Sequence, residues 1–160
     1  MKKEVRFTVT QKIIEVITAG MLLFLIAYLA INWSSIPDKI PSHYNSLGIA
    51  DAWSRKTSII MPPIISIILY TSLTLLSFFP AIWNTPVQVT DKNYSFVYQN
   101  TRSLICYLKL VLVGTFSYMT ICAAQGKALG KLFLPLELIT IFGVILWFIV
   151  KIVRGANKTK

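Results

Sequence analysis

The sequence predicts an all-α integral membrane protein with four transmembrane helices and an ordered extracytoplasmic loop between helices 1 and 2. Of its 160 residues, 55% are hydrophobic and 14% are charged. With a mean hydropathy of +0.65, the chain is too apolar for an ordinary soluble domain. Four runs also reach the roughly 20 apolar residues that cross about 30 Å of hydrocarbon. Because the chain is about one domain long, we expect a single membrane domain over residues 1–160.

The four apolar runs are interpreted as helices at about residues 13–33, 62–83, 103–124 and 132–153. The first run ends at Trp33, an aromatic residue suited to the membrane interface. It exceeds the roughly 7 to 15 residues of a signal-peptide core, so we expect a retained helix. The second run opens with Pro62 and Pro63, whose missing N–H groups cost little at a helix start.

The distribution of Lys and Arg predicts the orientation, because short loops rich in these residues stay in the cytoplasm. With four spans, one side of the membrane holds Lys2, Lys3, Arg6, Lys12, Lys92, Arg102, Lys151, Arg154, Lys158 and Lys160. The other side holds half as many, namely Lys39, Arg55, Lys56, Lys127 and Lys131. We therefore expect cytoplasmic N- and C-termini and a loop between helices 1 and 2 that faces outward.

A net charge of +10 could instead indicate a nucleic-acid partner. That interpretation requires basic residues gathered on one soluble face, whereas here they flank apolar runs. The expected partner is the lipid bilayer, and no nucleic acid is expected.

The loop at residues 34–57 concentrates the residues that break the hydrophobic pattern. Pro37 and Pro41 fix the backbone and hold the chain extended. Asn45 and Gly48 are turn residues that tolerate positive φ. These residues predict a compact, rigid cap over the helix ends, and that structural role is one complete explanation of the loop.

The residues at the C-terminal end of the loop indicate where the next helix begins. Asp51 precedes Ala-Trp-Ser and is interpreted as a helix N-cap. Trp33 and Trp53 are expected to anchor the two ends of the loop at the headgroup level.

Catalytic and metal interpretations of the loop are weak. The one histidine, His43, lies near Asp38, Asn45 and Asp51, but a zinc site needs three or four protein ligands and no second His exists. Ser42, His43 and Asp51 include the residue types of a hydrolase triad, but sequence neighbours seldom converge on that geometry. We expect a non-enzymatic protein with no cofactor and no metal site.

Two ionisable residues, Lys109 and Glu137, fall inside the predicted spans, whereas Glu15 lies at the edge of the first span. Intramembrane charges are costly, so each is a functional candidate on an ion or proton path. The alternative is that each residue snorkels to the interface or meets a local hydrogen-bond partner. Since they enter from opposite faces of the membrane, a direct ion pair between them would require helix tilt and extended side chains.

The segment between the second and third helices, residues 84–102, also has two interpretations. It is either an amphipathic extension of the third helix, lying at the cytoplasmic interface, or a plain connecting loop.

The motif inside the loop has fixed spacing. It reads Pro-Asp-x-Ile-Pro, then His-aromatic-Asn, then Gly-x-x-Asp-x-aromatic and a basic residue. It comprises Pro37, Asp38, Ile40, Pro41, His43, Tyr44, Asn45, Gly48, Asp51, Trp53 and Lys56. The region around it, residues 14–65, resembles a bacterial membrane domain of unknown function. That domain is also found at the N-terminus of the immunity protein against the sporulation-delaying toxin of Bacillus-type bacteria.

The resemblance implies a multi-pass protein of the bacterial plasma membrane whose outer loop takes part in toxin immunity or signalling. Two departures limit it: Ser54 and Arg55 stand where the family often has Gly, and the motif of the longer C-terminal membrane region of the immunity proteins is not found in these 160 residues. Two function classes remain open. The first is recognition of an extracellular peptide toxin or another membrane protein through the outer loop. The second is a small transporter, or a homo-oligomeric transporter subunit, that uses Glu137 and Lys109.

Overall fold

A computed structural model describes residues 5–158, so Lys2, Lys3 and Lys160 of the charge argument lie outside the described residues. Four long helices are each long and apolar enough to cross a membrane, which confirms the predicted fold class. They are α1 (Val9–Asn32), α2 (Met61–Ser77), α3 (Tyr94–Ala124) and α4 (Phe133–Lys158). Two short strands, β1 (Lys39–Tyr44) and β2 (Ala50–Arg55), form a hairpin between α1 and α2.

Helix α1 begins earlier than predicted because its first turn is capped. The side chain of Thr8 accepts a hydrogen bond from the backbone N–H of Gln11, and the side chain of Gln11 accepts one from the N–H of Thr8. This reciprocal capping box satisfies N–H groups that lack partners at a helix start. The helix therefore begins at Val9 rather than at residue 13.

Helix α2 is shorter than predicted and ends at Ser77 rather than at residue 83. Phe79 precedes a proline and has φ −115° and ψ 68°, outside the helical region. Pro80 pushes its neighbour out of that region and cannot donate a backbone hydrogen bond, so the chain continues as the short 3-10 turn Pro80–Ile82.

Helix α3 begins at Tyr94, which resolves the two interpretations of the preceding segment in favour of a helical extension. A local turn starts the helix. The N–H of Thr90 donates to Asn93 Oδ1 over 2.7 Å, and the N–H of Asn93 donates to Thr90 Oγ1 over 3.3 Å. Residues 78–93, which include the 3-10 turn Pro80–Ile82, connect α2 and α3.

Helix α3 is the centre of the bundle and packs against α1, α2 and α4. Val97, Cys106 and Val113 are fully buried along it. Helix α4 packs mainly on α3 and leaves a row of large apolar side chains exposed, including Phe142 and Trp147. Such a face suits contact with lipid hydrocarbon.

Side-chain contacts define the two ends of the bundle. Arg102 of α3 donates hydrogen bonds to the carbonyls of Val5 and Ser77. The segment before α1, the end of α2 and the beginning of α3 therefore lie together, and we call this the N-terminal end of the bundle. At the opposite, hairpin end, the N–H of Leu129 between α3 and α4 donates to the carbonyl of Gly48. Neighbouring helices in sequence therefore run antiparallel.

The hairpin is antiparallel, and Lys39 pairs with Arg55 at its open end and Tyr44 with Ala50 near its tip. A register shift between Pro41 and Tyr44 marks a bulge in β1. Ile40 is buried in a cluster with Leu29, Ile36, Ile59 and Ala124, which are supplied by α1, the loop, the 3-10 turn before α2 and the end of α3. The loop is therefore an ordered cap seated on the helix ends.

Candidate functional site

The tip of the hairpin is folded by Asn45 and Gly48. Asn45 Oδ1 accepts hydrogen bonds from the N–H groups of Leu47 and Ile49, over 2.9 and 3.1 Å. The N–H of Gly48 donates to the carbonyl of Asn45 over 2.8 Å, and Gly48 has φ +71°. Both predicted turn residues therefore lie in the turn, but only the glycine adopts positive φ. Glycine carries this conformation without the Cβ clash that other residues meet.

The tip is also docked onto residues 125–132, which join α3 to α4 and are called the docked loop. The N–H of Leu129 donates to the carbonyl of Gly48 over 2.9 Å, and the hydroxyl of Tyr44 donates to the carbonyl of Lys127 over 3.2 Å. A Cβ on Gly48 would lie 2.5 Å from the carbonyl oxygen of Gly130. Partial burial is the main cause that raises the pKa of Tyr44 to about 12. The hairpin and the docked loop thus form one unit.

The base of the hairpin is closed by other motif residues. The N–H of Lys56 donates to the carbonyl of Asp38 over 2.8 Å, and the Lys56 ammonium lies 4.9 Å from the centre of the Trp33 ring. Pro41 is buried in β1 opposite Trp53, while Pro37 precedes the strand and is exposed. Asp38, Pro41 and Lys56 therefore help to build the hairpin and hold it against α1.

The prediction that Asp51 caps a helix is wrong, because this residue lies in β2. Its carboxylate oxygen is instead 2.6 Å from Nδ1 of His43 on the facing strand. Both side chains are largely open, with exposed fractions of 69% and 43%. Exposed pairs of this kind add little to stability, so the pair is displayed rather than required for the fold.

Three large apolar side chains near this pair are exposed as well. Leu47 and Ile49 lie at the tip, and Trp53 lies on β2. Together with His43 and Asp51 they form what we call the hairpin face. The sequence indicated His43, Asp51 and Trp53, but gave no reason to single out Leu47 and Ile49, because their exposure follows from the turn geometry.

Lys109 lies at the middle of α3 and is only 1% exposed. Its ammonium donates to both carboxylate oxygens of Glu15, over 2.5 and 2.6 Å, and to Oγ1 of Thr74 over 2.8 Å. The ring of Tyr70 lies 4.9 Å away. This polar clamp joins α1, α2 and α3, and it supplies an acceptor for every N–H of the ammonium.

The partner of Lys109 is therefore Glu15 and not Glu137. Sequence reasoning missed Glu15 because it placed this residue at the edge of the first helix. The Thr8–Gln11 capping box was the available signal, since a helix that begins at Val9 carries Glu15 well into its second turn.

Glu137 lies on α4 near the hairpin end and accepts a hydrogen bond of 2.5 Å from the hydroxyl of Thr115 on α3. It lines an apolar groove of 640 Å³ between these two helices, together with Leu110, Tyr118 and Leu136. Glu137 thus has a local partner, and neither Lys109 nor Glu15 lines this groove. The two ionisable residues of the predicted spans face different helices.

Within residues 5–158, no group of three or more His, Cys, Asp or Glu side chains is placed to hold a metal ion. His43 and Asp51 are a pair without a third ligand there.

The four helices define a multi-pass membrane protein in which an ordered hairpin covers one end of the bundle. Residues 20–67 match the profile of a family described as Domain of unknown function (DUF1648). The match spans the second half of α1, the whole hairpin and the start of α2. No curated protein and no solved structure matches the chain.

Proposed function

We propose that this chain is a non-enzymatic protein of the bacterial cell envelope that recognises an extracellular peptide through the hairpin face. Recognition would serve immunity to a peptide toxin or the sensing of one. The observation that carries the proposal is that the hairpin separates its residues into two groups, those that build it and those that it displays.

The building group has contacts that account for its presence. Asn45 and Gly48 make the turn, Tyr44 contacts the docked loop, and Ile40 and Pro41 are buried. The displayed group, the hairpin face, combines the hydrogen-bonded His43–Asp51 pair with an aromatic and two aliphatic side chains. Exposed aromatic and aliphatic residues beside such a polar pair are typical of a protein-recognition surface.

The orientation of the chain also supports an extracellular role. Lys and Arg are in excess around the N-terminal end of the bundle, at the two ends of the chain and at Lys92 and Arg102, and this excess favours a cytoplasmic position for that end. On this orientation the hairpin end faces outward, where a secreted peptide would reach it. The resemblance of residues 14–65 to a domain found in toxin-immunity proteins gives the proposed class of ligand.

A challenge assay tests this proposal. A strain without the gene is complemented with the wild type, with His43→Ala, or with Trp53→Ser, and is exposed to a panel of membrane-active peptide toxins. We expect the deletion to raise sensitivity to at least one peptide, and the two variants to restore less protection at equal expression. Arg154→Gln changes an exposed residue of α4 at the N-terminal end of the bundle, far from the hairpin, and this variant should protect like the wild type.

Two results would refute the proposal. One is a deletion strain whose sensitivity to every peptide is unchanged. The other is full protection by both hairpin-face variants. Asn45→Ala, which removes the acceptor of two tip N–H groups, should also lose protection, because it loosens the surface rather than changing its chemistry.

A small transporter or transporter subunit is the second candidate, and the groove beside Glu137 is the observation that favours it. A carboxylate in an apolar groove between two membrane helices is a functional candidate, because placing an ionisable group inside a membrane costs free energy. The clamp at Lys109 would then brace the bundle rather than line the path. If Glu137→Gln leaves the flux of solute into reconstituted vesicles unchanged, this candidate is removed. Sizing in detergent would show whether several copies of the chain assemble around a path.

A further inference from the structure

Among residues 5–158, the charged side chains that line a cavity at the N-terminal end of the bundle are all positive. The cavity has a volume of 760 Å³ and lies between the chain start, the end of α2 and the first turns of α3. Its charged lining residues among the described part of the chain are Arg6, Lys12 and Arg102. Phe7, Phe79 and Tyr98 supply much of the remaining wall. The hairpin face lies at the other end of the bundle, so this cavity belongs to a separate site.

Arg102 is the unusual member of the lining because it is 4% exposed. Its Nε donates to the carbonyl of Ser77 over 3.2 Å, and its Nη1 donates to the carbonyl of Val5 over 2.5 Å. The ring of Phe7 lies 4.4 Å from the guanidinium carbon. Within residues 5–158, these contacts neutralise no part of the charge, since carbonyls and rings carry no net charge.

The guanidinium group has five N–H donors, and these two hydrogen bonds use two of them. Burying a charge is costly unless an opposite charge or a full set of hydrogen bonds compensates it. Because Arg102 also lines the cavity, an anion seated there would meet the remaining donors. Arg6 and Lys12 are exposed side chains and would add two further positive charges around that anion.

We propose that this cavity binds the phosphate head group of an anionic phospholipid. The planar guanidinium fork matches two phosphate oxygens, and basic pockets between membrane helices are a known setting for anionic head groups. Phe78 and Phe79, which line the cavity and remain more than half exposed, provide an apolar surface for the acyl chains. A free phosphate would use the cations but not these two rings.

The test uses the full chain purified in an uncharged maltoside detergent, with bound lipid counted by native mass spectrometry. The probes are dioctanoyl phosphatidylglycerol, dioctanoyl phosphatidylcholine and inorganic phosphate. The variant Arg6→Gln/Lys12→Gln removes two exposed charges at the cavity. The matched control Arg154→Gln/Lys158→Gln removes two charges from the last turns of α4, outside the cavity.

We expect one phosphatidylglycerol to bind per wild-type chain, with phosphatidylcholine binding more weakly. Each cation near an anionic lipid contributes roughly fivefold, so the cavity variant should bind phosphatidylglycerol about 30-fold more weakly, while the control variant stays near the wild type. Arg102→Lys, which keeps the charge but loses the fork, should also weaken binding in folded protein.

Three results would overturn the proposal. The first is equal binding of phosphatidylglycerol and phosphatidylcholine. The second is an equal loss of binding in the cavity and control variants, which would indicate general electrostatic attraction. The third is displacement of the lipid by an equal concentration of inorganic phosphate, which would assign the cavity to a free anion. None of these outcomes depends on what the hairpin recognises.

Discussion

The clamp at Lys109 allows a sharp prediction about stability. Glu15→Gln removes the carboxylate whose two oxygens accept from the Lys109 ammonium, and it leaves a cation that is 1% exposed. Removing one partner of a buried ion pair costs about 3 to 5 kcal/mol, whereas an average interhelical hydrogen bond in a membrane protein is worth about 0.6 kcal/mol. We therefore expect Glu15→Gln to lower the free energy of unfolding by about 3 kcal/mol.

The double variant Glu15→Gln/Lys109→Met is the decisive comparison. Methionine replaces the buried cation with an apolar side chain of similar length, so no uncompensated charge remains. Replacing both members of a buried pair is often close to neutral. We expect the double variant to be more stable than Glu15→Gln alone, although it carries one more substitution.

Reversible unfolding in mixed micelles of maltoside and dodecyl sulfate, followed by tryptophan fluorescence, measures these free energies. Ser58→Ala, a change in the 3-10 turn before α2, controls for the loss of a hydroxyl and its hydrogen bonds outside the clamp. If the effects of Glu15→Gln and Lys109→Met add in the double variant, the two side chains do not interact and the clamp is refuted.

Three further predictions concern the hairpin end. Gly48→Ala should destabilise the fold more than Gly126→Ala. Both glycines have positive φ, but of the two only Gly48 has a backbone atom within 3 Å of an added Cβ. Equal free energies of unfolding for the two variants would contradict this prediction. Thr115→Val should lower the free energy of unfolding by about 0.6 kcal/mol, because it removes the hydrogen bond from α3 to Glu137 on α4. Thr140→Val should lower it less in the same assay, because the Thr140 hydroxyl donates to a carbonyl of its own helix. The pKa of Tyr44 in the folded protein is raised from 10.0 to about 12, so the stability that the neutral Tyr44 side chain contributes should be lost as the pH rises through that range. The difference in phenolate absorbance between the wild type and Tyr44→Phe should titrate near 12.

The sequence was sufficient to predict the helices, because hydrophobic runs long enough to cross a bilayer have few alternative structures. It was less reliable at the ends of these helices. The end of α2 depends on Pro80, which lies inside an apolar run, and the start of α1 on a Thr8–Gln11 pair outside the first apolar run. Terminal signals of this kind act locally and are hidden by average hydropathy.

Side-chain partners between helices were harder to predict. The pairing of Lys109 with Glu15 depends on the rotation of α1 and α3 about their axes, and hydropathy carries no information on rotation. Asp51 was misassigned for a related reason, since Asp before a short polar stretch is compatible with a helix start and with a strand. The antiparallel register that places it opposite His43 is a tertiary feature.

The most direct test of the proposed recognition role is the side of the membrane on which the hairpin lies. Leu47→Cys, at the exposed tip, and Asn84→Cys, in the exposed segment after α2, are placed separately in a background with Cys106→Ala and Cys122→Ala. Intact cells are treated with a membrane-impermeant maleimide. Labelling at residue 47 alone, with residue 84 reacting only after the membrane is opened, is the result we predict. Labelling at residue 84 alone would place the hairpin in the cytoplasm and contradict recognition of an extracellular peptide.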